Sequence, residues 1–536
     1  MCIPLQKTDT QRGARPIRSN SIALAALLIA LGNIASRILG LVRTATIAYF
    51  FGRSTDVDAF TAAWTAPRTL YDMLINGAVS AALVPVFSEY AEGDQNAFWH
   101  LVARVFNLLL LLLCLIVALM IWQAPLVASL LVQESEPALR QQTAELLRWL
   151  LPSVLFMGLS ALMTAVLYAR RTFLMPAFAG ATFNAGVILG AVLLHDQMGI
   201  QSLAVGTLIG GIGQVALQSL GLRDMRYRPV LDLKHPALRR IVLLYAPVTL
   251  GIGFSIIGTM IDRRLASGFT NALSTMEYAT TLIQFPLGLI AAAVSLAVLP
   301  TLSRQSATAD EAAFRQTLGM GLKVVMLLVI PATAGLLVLA HPITAVLFER
   351  RAFSAQDTAI TATALLFYLP GLPAAALDQV LIFAFYARKN TLTPNLVQGA
   401  AIALYLLTVL PLLLWTHLGF LALVLGNSAQ WIGHALLLWW LLRRNVPMRG
   451  LRMGEALLKI VLASTLMAGV IYGIIYGLQV LSSELPIQEP LIEIGVAGGL
   501  GALLYVVLCM LLRVEALDYF LTALKQRLNR SRTQAG

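Results

Sequence analysis

Charge is what this sequence holds least of. Of its 536 residues only 12% are Asp, Glu, Lys or Arg, about half the share of an ordinary soluble domain. Cysteine is nearly missing: Cys2, Cys114 and Cys509 stand far apart, two of them inside apolar stretches, which argues against a disulfide framework or a thiol metal site. They read as small packing residues. The six histidines are dispersed. There is no phosphate-binding glycine loop ending in Lys-Ser or Lys-Thr, no His-Glu-x-x-His and no Gly-x-Ser-x-Gly. Neither an enzyme nor an ATP-driven pump is indicated, and no metal or cofactor is called for.

Hydrophobic residues make up 58% of the chain, and the mean hydropathy is +0.79. Apolar runs at Ile22–Phe51, Val105–Trp122, Leu282–Leu299, Leu318–Leu339, Leu396–Trp415, Leu418–Leu442 and Ile460–Val480 match the roughly 20 residues a helix needs to cross a bilayer. Read through to the end, the chain gives about fourteen spans and an all-α polytopic membrane protein. The first run is too long for a signal-peptide core, is interrupted by Arg37 and Arg43, and reads as a retained helix.

The net charge of +12 suggests nucleic acid until its distribution is read. Basic residues fill every second loop: Arg12, Arg15 and Arg18, then Arg170-Arg171, Arg223 to Arg240, Arg388-Lys389, and Arg443 to Arg452. The loops between them run acidic, with Glu134 and Glu136 in one and Glu484, Glu489 and Glu493 in another. That is the pattern that places basic loops, and here both termini, on the cytoplasmic side. Arg350-Arg351 is the exception. Nucleic acid is not an expected partner.

The sequence repeats itself. Leu151-Pro152, Tyr168-Ala169-Arg170 and Pro176 return as Leu369-Pro370, Tyr386-Ala387-Arg388 and Pro394, all at an offset of 218. Ala78-Val79-Ser80, Pro85 and Ser88 return as Ala293-Val294-Ser295, Pro300 and Ser303 at 215. Gly210 and Gln214 return as Gly426 and Gln430 at 216, with Gln218 facing His434. Two six-helix copies, 21–228 and 235–450, form two lobes in the same orientation. Residues 455–513 add two helices, 1–20 form a basic tail, and 514–536 form a basic amphipathic tail expected to lie on the inner membrane surface.

Ionisable residues inside spans cost several kcal/mol and face a cavity or a partner. Arg37 and Arg43 lie six residues apart on the first helix, about 120° apart in projection, with Asn33 one turn before Arg37. Both suit the border of a wide cavity, and the planar guanidinium suits a pyrophosphate or carboxylate. The competing reading pairs each of them with Asp56, Asp58 or Asp72, or has it snorkel to an interface. Asp262-Arg263-Arg264 closes the seventh span, either as an ion pair with one free cation or as a loop anchor. Asp378, a buried acid with no basic partner evident nearby in sequence, suits ion coupling, against the plainer reading of a water-facing charge. Gly210, Gln214 and Gln218, with their counterparts Gly426, Gln430 and His434, read as close-packed, hydrogen-bonded helix contacts.

Ser36-Arg37-Ile38-Leu39-Gly40-Leu41-Val42-Arg43, Asp58-Ala59-Phe60, Asn76-Gly77-Ala78 and Leu83-Val84-Pro85 form an ordered set. It continues in the second copy with Phe285-Pro286-x-Gly288, Leu299-Pro300-x-Leu302-Ser303 and Phe385-Tyr386-Ala387-Arg388. The set resembles the MurJ/MviN lipid II flippases across about residues 20–513. The resemblance implies the multidrug/oligosaccharidyl-lipid/polysaccharide exporter fold. It also implies transfer of undecaprenyl-linked peptidoglycan precursor from the inner to the outer leaflet of the bacterial cytoplasmic membrane. Carried over residue by residue, it marks Arg37, Arg43 and Asp58, with Asn76 where the family has glutamate, as substrate-cavity positions. The departures are Tyr71 and Asp72 in place of an arginine pair, Thr281 in place of a key arginine, and Gln284 in place of a glutamate. Arg68 and Arg263 are the cations at hand to compensate. Asp262 has no acidic partner in the span at 392–416, so Na+ coupling, H+ coupling and the membrane potential all stay open as the drive. The expected partners are lipid II, whose tail lies in the bilayer or in a groove beside the last two helices, the membrane lipids, and cell-wall synthesis proteins. The alternatives are an exporter of another polyprenyl-linked glycan or amphipathic cation, and a non-transporting cell-wall scaffold.

Overall fold

The computed structural model describes residues 19–225, 232, 235–288, 292–446, 450–482 and 490–519. The expected tails at 1–18 and 520–536, the loop residues Arg226, Arg228, Lys234, Arg449, Glu484 and Glu489, and the Asn76 side chain lie outside them. Among the described residues the chain is helical, with no strand.

The first copy comprises α1 (Ser19–Phe51), α2 (Thr55–Asp72), a π-helical stretch (Met73–Leu83) running into α3 (Val84–Ala91), α4 (Gln95–Trp122), α5 (Ala124–Leu131), α6 (Pro137–Leu150), α7 (Pro152–Ala169), α8 (Leu174–Met198) and α9 (Gln201–Ser219). The second comprises α10 (Pro236–Ala266), α11 (Ala272–Pro286), α12 (Ala292–Ala307), α13 (Glu311–Phe348), α14 (Ala355–Tyr368), α15 (Leu372–Ala387), α16 (Leu392–Trp415) and α17 (Leu421–Asn445). α18 (Met453–Ser482) and α19 (Pro490–Leu511) follow. Among the described residues 11 helices are long and apolar enough to cross a membrane. Three further legs, 55–91, 236–266 and the pair Ala272–Pro286 with Ala292–Ala307, are compatible with a total of about fourteen.

The repeated motifs mark places where both copies do the same thing. Leu151-Pro152 separates α6 from α7, and Leu369-Pro370 lies in the tight turn between α14 and α15, because proline has no N–H to continue a helix. Arg170 ends α7, pairs with Asp224 at 2.6 Å and lies over the Trp99 ring. Arg388 ends α15, pairs with Glu311 and lies over Phe314. Each is followed by a left-handed residue, Arg171 and Lys389, which turns the chain out of the helix. These arginines are helix-end anchors.

Glycine sets a close helix contact between α8 and α9. A Cβ on Gly186 or Gly210 would collide with the backbone of the facing helix, so α8 and α9 meet main chain to main chain. Beside them Gln214 donates to the Ala179 carbonyl (3.1 Å) and Gln218 to Ser160 (2.8 Å), as interhelical packing requires. α18 and α19 pack on α13, where Tyr505 donates to the Leu327 carbonyl at 2.7 Å and buried Lys323 pairs with Glu515 at 2.5 Å.

Candidate functional site

The lobes meet at one end of the bundle through residues at equivalent repeat positions. Asp58 opens α2 and accepts from the backbone N–H of Ser274, its counterpart in α11, at 2.7 Å. Asn271 donates to the Arg53 carbonyl (3.0 Å), Tyr278 to the Gly52 carbonyl (2.6 Å), and the Arg53 guanidinium pairs with Asp357 at 2.9 Å. Gly52 has φ +60 and sits against the Ala352 carbonyl, an approach a side chain would block. Among the described residues none of these latch side chains has a buried polar atom without a partner, so this layer is a closed latch.

Beneath the latch a polar cavity runs between the lobes in two connected halves that share Trp64, Arg68, Asp72, Glu277 and Gln284. The first half, about 280 Å³, is walled by Arg37, Arg43, Tyr71, Asn184 and Thr281 among others. The second, about 390 Å³, is walled by Asp262, Arg263, Tyr368, Asn427 and Gln430. Four arginines face three acids across the two halves, so the cavity is net cationic.

Arg37 and Arg43 line it together, as the 120° projection allows. Arg37 donates to the Gln284 carbonyl at 3.0 Å, and Arg43 makes no ion pair among the described residues; its Nε is buried without a partner. The reading that pairs these arginines with Asp56, Asp58 or Asp72 therefore fails. Asp56 accepts from Gln142 (2.6 Å), Asp58 from Ser274, and Asp72 lies 3.9 Å from Arg68. Asp58 belongs to the latch and is not among the residues lining the cavity.

Asp262-Arg263-Arg264 does not form an internal ion pair. Arg263 reaches Glu277 on the next helix at 3.2 Å. Arg264 donates to the carbonyls of Ser129 and Val132 in the first lobe, so it is the loop anchor. Asp262 accepts from Tyr405 and Asn427, each at 2.9 Å. Asp378 does have a partner, His434, at 2.7 Å, and that pair does not line the cavity. Sequence separation hid this pair, since the two residues are 56 apart. Glu277 went unnoticed altogether, although a lone acid in an apolar helix one turn before Thr281 is a readable signal.

The family model for lipid II flippase MurJ matches residues 47–488. The chain is 31% identical over 376 residues to the lipid II flippase MurJ of Burkholderia cenocepacia, covering 67% of this chain and 72% of that one. It is 31% identical to the probable lipid II flippase MurJ of Vibrio cholerae, over 76% of this chain and 81% of the relative. A solved lipid II flippase MurJ in an inward closed conformation superposes with a TM-score of 0.77 at 26% identity, over 91% of this chain and 99% of that one. An inward-facing multidrug resistance MATE transporter shares the fold with a TM-score of 0.67 at 13% identity, over 78% of this chain and 98% of that one. This multi-pass helical protein, with its cationic cavity between two repeated lobes, belongs to the MurJ lipid II flippase family.

Proposed function

We propose that the protein flips lipid II, the undecaprenyl-pyrophosphate-linked peptidoglycan precursor, from the inner to the outer leaflet of the bacterial cytoplasmic membrane by alternating access of its two lobes. The observation that carries this reading is Arg43, buried in the cavity wall with its Nε unpartnered and with Arg37 beside it. A guanidinium N–H buried without an acceptor is costly, and a pyrophosphate is the kind of bidentate acceptor that would satisfy it. A cavity for an amphipathic cation would instead be dominated by acids. No covalent step is needed, and the protein works as a transporter.

The basic loops support cytoplasmic termini. In that orientation the Asp58–Ser274 latch is the outer gate, shut in this state. We place the lobes at 21–228 and 235–450 and the accessory helices at 455–513. The lipid tail is assigned to the apolar groove of about 420 Å³ walled by Leu327, Pro331, Leu339, Met467, Ile471 and Tyr505 between α13, α18 and α19. Arg37, Arg43 and Arg263 contact the substrate head, and Asn76 is assigned to the substrate on the family resemblance alone. Asp58 acts through the latch. Asp262, on its two donors, and Asp378, paired with His434, are the groups for coupling to Na+ or H+, with the membrane potential as the third drive. Membrane lipids and cell-wall synthesis proteins are the remaining partners.

The test is rescue of a bacterium depleted of its own lipid II flippase, with labelled precursor scored at the outer leaflet. Rescue that disappears in Arg37→Ala and Arg43→Ala is expected. Failure of the folded, inserted wild-type chain to rescue would overturn the reading.

A further inference from the structure

Two guanidiniums from two helices meet one carboxylate in the cavity, with a third, Arg43, lining the same space. Glu277 of α11 lies 3.2 Å from Arg263 of α10 and 3.9 Å from Arg68 of α2. Arg43 of α1 lies within electrostatic reach of both Glu277 and Arg68. Only 22% of the Glu277 side chain and 16% of Arg263 is exposed, so the pair is held in low dielectric, where charge geometry is exacting. Glu277 and Arg68 belong to both halves of the cavity, so the cluster stands at their junction.

The wall beside it is neutral at Thr281. Thr281, one turn after Glu277 on α11, faces the first half and ties its hydroxyl back to the Glu277 carbonyl at 2.9 Å. α11 therefore presents a carboxylate to the cavity and no cation of its own. Left alone, Arg68 and Arg263 would repel each other and Arg43. The Glu277 carboxylate gathers them and leaves a surplus of positive charge facing the space. A pyrophosphate diester carries one ionised oxygen on each phosphorus and matches that surplus.

We propose that Glu277 is a positioning residue that holds Arg68 and Arg263 as a preformed diphosphate fork beside Arg43, supplying from neighbouring helices the cation that α11 lacks. The carboxylate occupies guanidinium donors that the substrate's phosphoryl oxygens take over on binding. This deepens the flipping reading and rests on it.

The experiment measures translocation of fluorescent lipid II in vesicles containing the purified full-length protein, across a range of substrate levels. Four variants are compared with wild type: Glu277→Gln, Glu277→Asp, Glu277→Gln with Thr281→Arg, and Arg68→Gln. Thermal unfolding of each is checked, and Arg43→Ala serves as the reference. Glu277→Gln is expected to raise the half-saturating substrate level about ten- to hundredfold, the loss of one or two charge-assisted contacts. Arg68→Gln, at a half-exposed position, should move it in the same direction. Glu277→Asp should keep most of the activity. Thr281→Arg should restore the Glu277→Gln protein, because it places a cation on α11 without any carboxylate to hold it.

Wild-type behaviour of Glu277→Gln and Arg68→Gln, with Arg43→Ala inactive, would overturn the inference and leave the flipping reading intact. A folded Glu277→Gln protein that neither Thr281→Arg nor the aspartate variant recovers would also overturn it, marking the carboxylate as purely structural. If wild type and Arg43→Ala translocate the lipid equally, the underlying reading itself fails.

Discussion

The Arg37 guanidinium lies against the bare α-carbon of Gly288, where any Cβ would collide with it. Gly288 follows Phe285-Pro286 at the point where the α11 leg loosens into π geometry. The matching point of the first copy is Met73, where α2 passes into its own π-helical stretch. π turns splay the backbone and recur at functional sites. Here one makes room for a cation reaching over from α1. Gly288→Ala should therefore displace Arg37 from the Gln284 carbonyl and lower flipping activity about tenfold, one lost charge-assisted contact. Combined with Arg37→Ala it should add nothing. Transport assays on the two single variants and the double variant check this; additive losses would separate Gly288 from Arg37.

The latch gives a second expectation. Thr55 and Asn271, equivalent positions in the two copies, approach at 3.5 Å between side-chain oxygens. With Cys2, Cys114 and Cys509 replaced, Thr55→Cys with Asn271→Cys should crosslink under oxidation, arrest transport and recover on reduction. Full transport by the oxidised, crosslinked protein would show that the lobes need not part here.

Asp378 and His434 stand where the first copy has Ser160 and Gln218, a neutral hydrogen bond of 2.8 Å in place of an ionisable contact of 2.7 Å. Removing one partner strands the other in a largely buried site. His434→Gln alone should cost about 1.5–3 kcal/mol, while His434→Gln with Asp378→Ser recreates the first copy's pair and should recover most of that stability. Unfolding in detergent measures both. If transport is coupled through Asp378, the double variant should be stable yet lose its dependence on the coupling ion.

The duplication, the apolar spans and the shared cavity location of Arg37 and Arg43 were all legible in the sequence, because each follows from local periodicity or from a fixed repeat offset. The helices run past the apolar runs, α13 covering Glu311–Phe348 where the run is Leu318–Leu339, since polar helix ends carry no hydropathy signal. The latch contact of Asp58 is not legible in sequence, which shows an acid at a helix start but not the Ser274 N–H it faces across the lobes. Arg263 looked tied to its neighbour Asp262. On a helix adjacent residues point apart, and Glu277, one helix later, takes the pair. Asp378 with His434, and Asp262 with Tyr405 and Asn427, are contacts between helices far apart in sequence, which only packing reveals.

The most direct measurement is translocation itself: labelled lipid II in vesicles containing the purified protein, with outer-leaflet exposure followed over time at an imposed membrane potential and in opposed Na+ or H+ gradients. Protein-dependent exposure is expected, reduced about a hundredfold or more by Arg43→Ala, the loss of a charge-assisted diphosphate contact. Exposure that is the same with wild type, with Arg43→Ala and without protein would contradict that expectation.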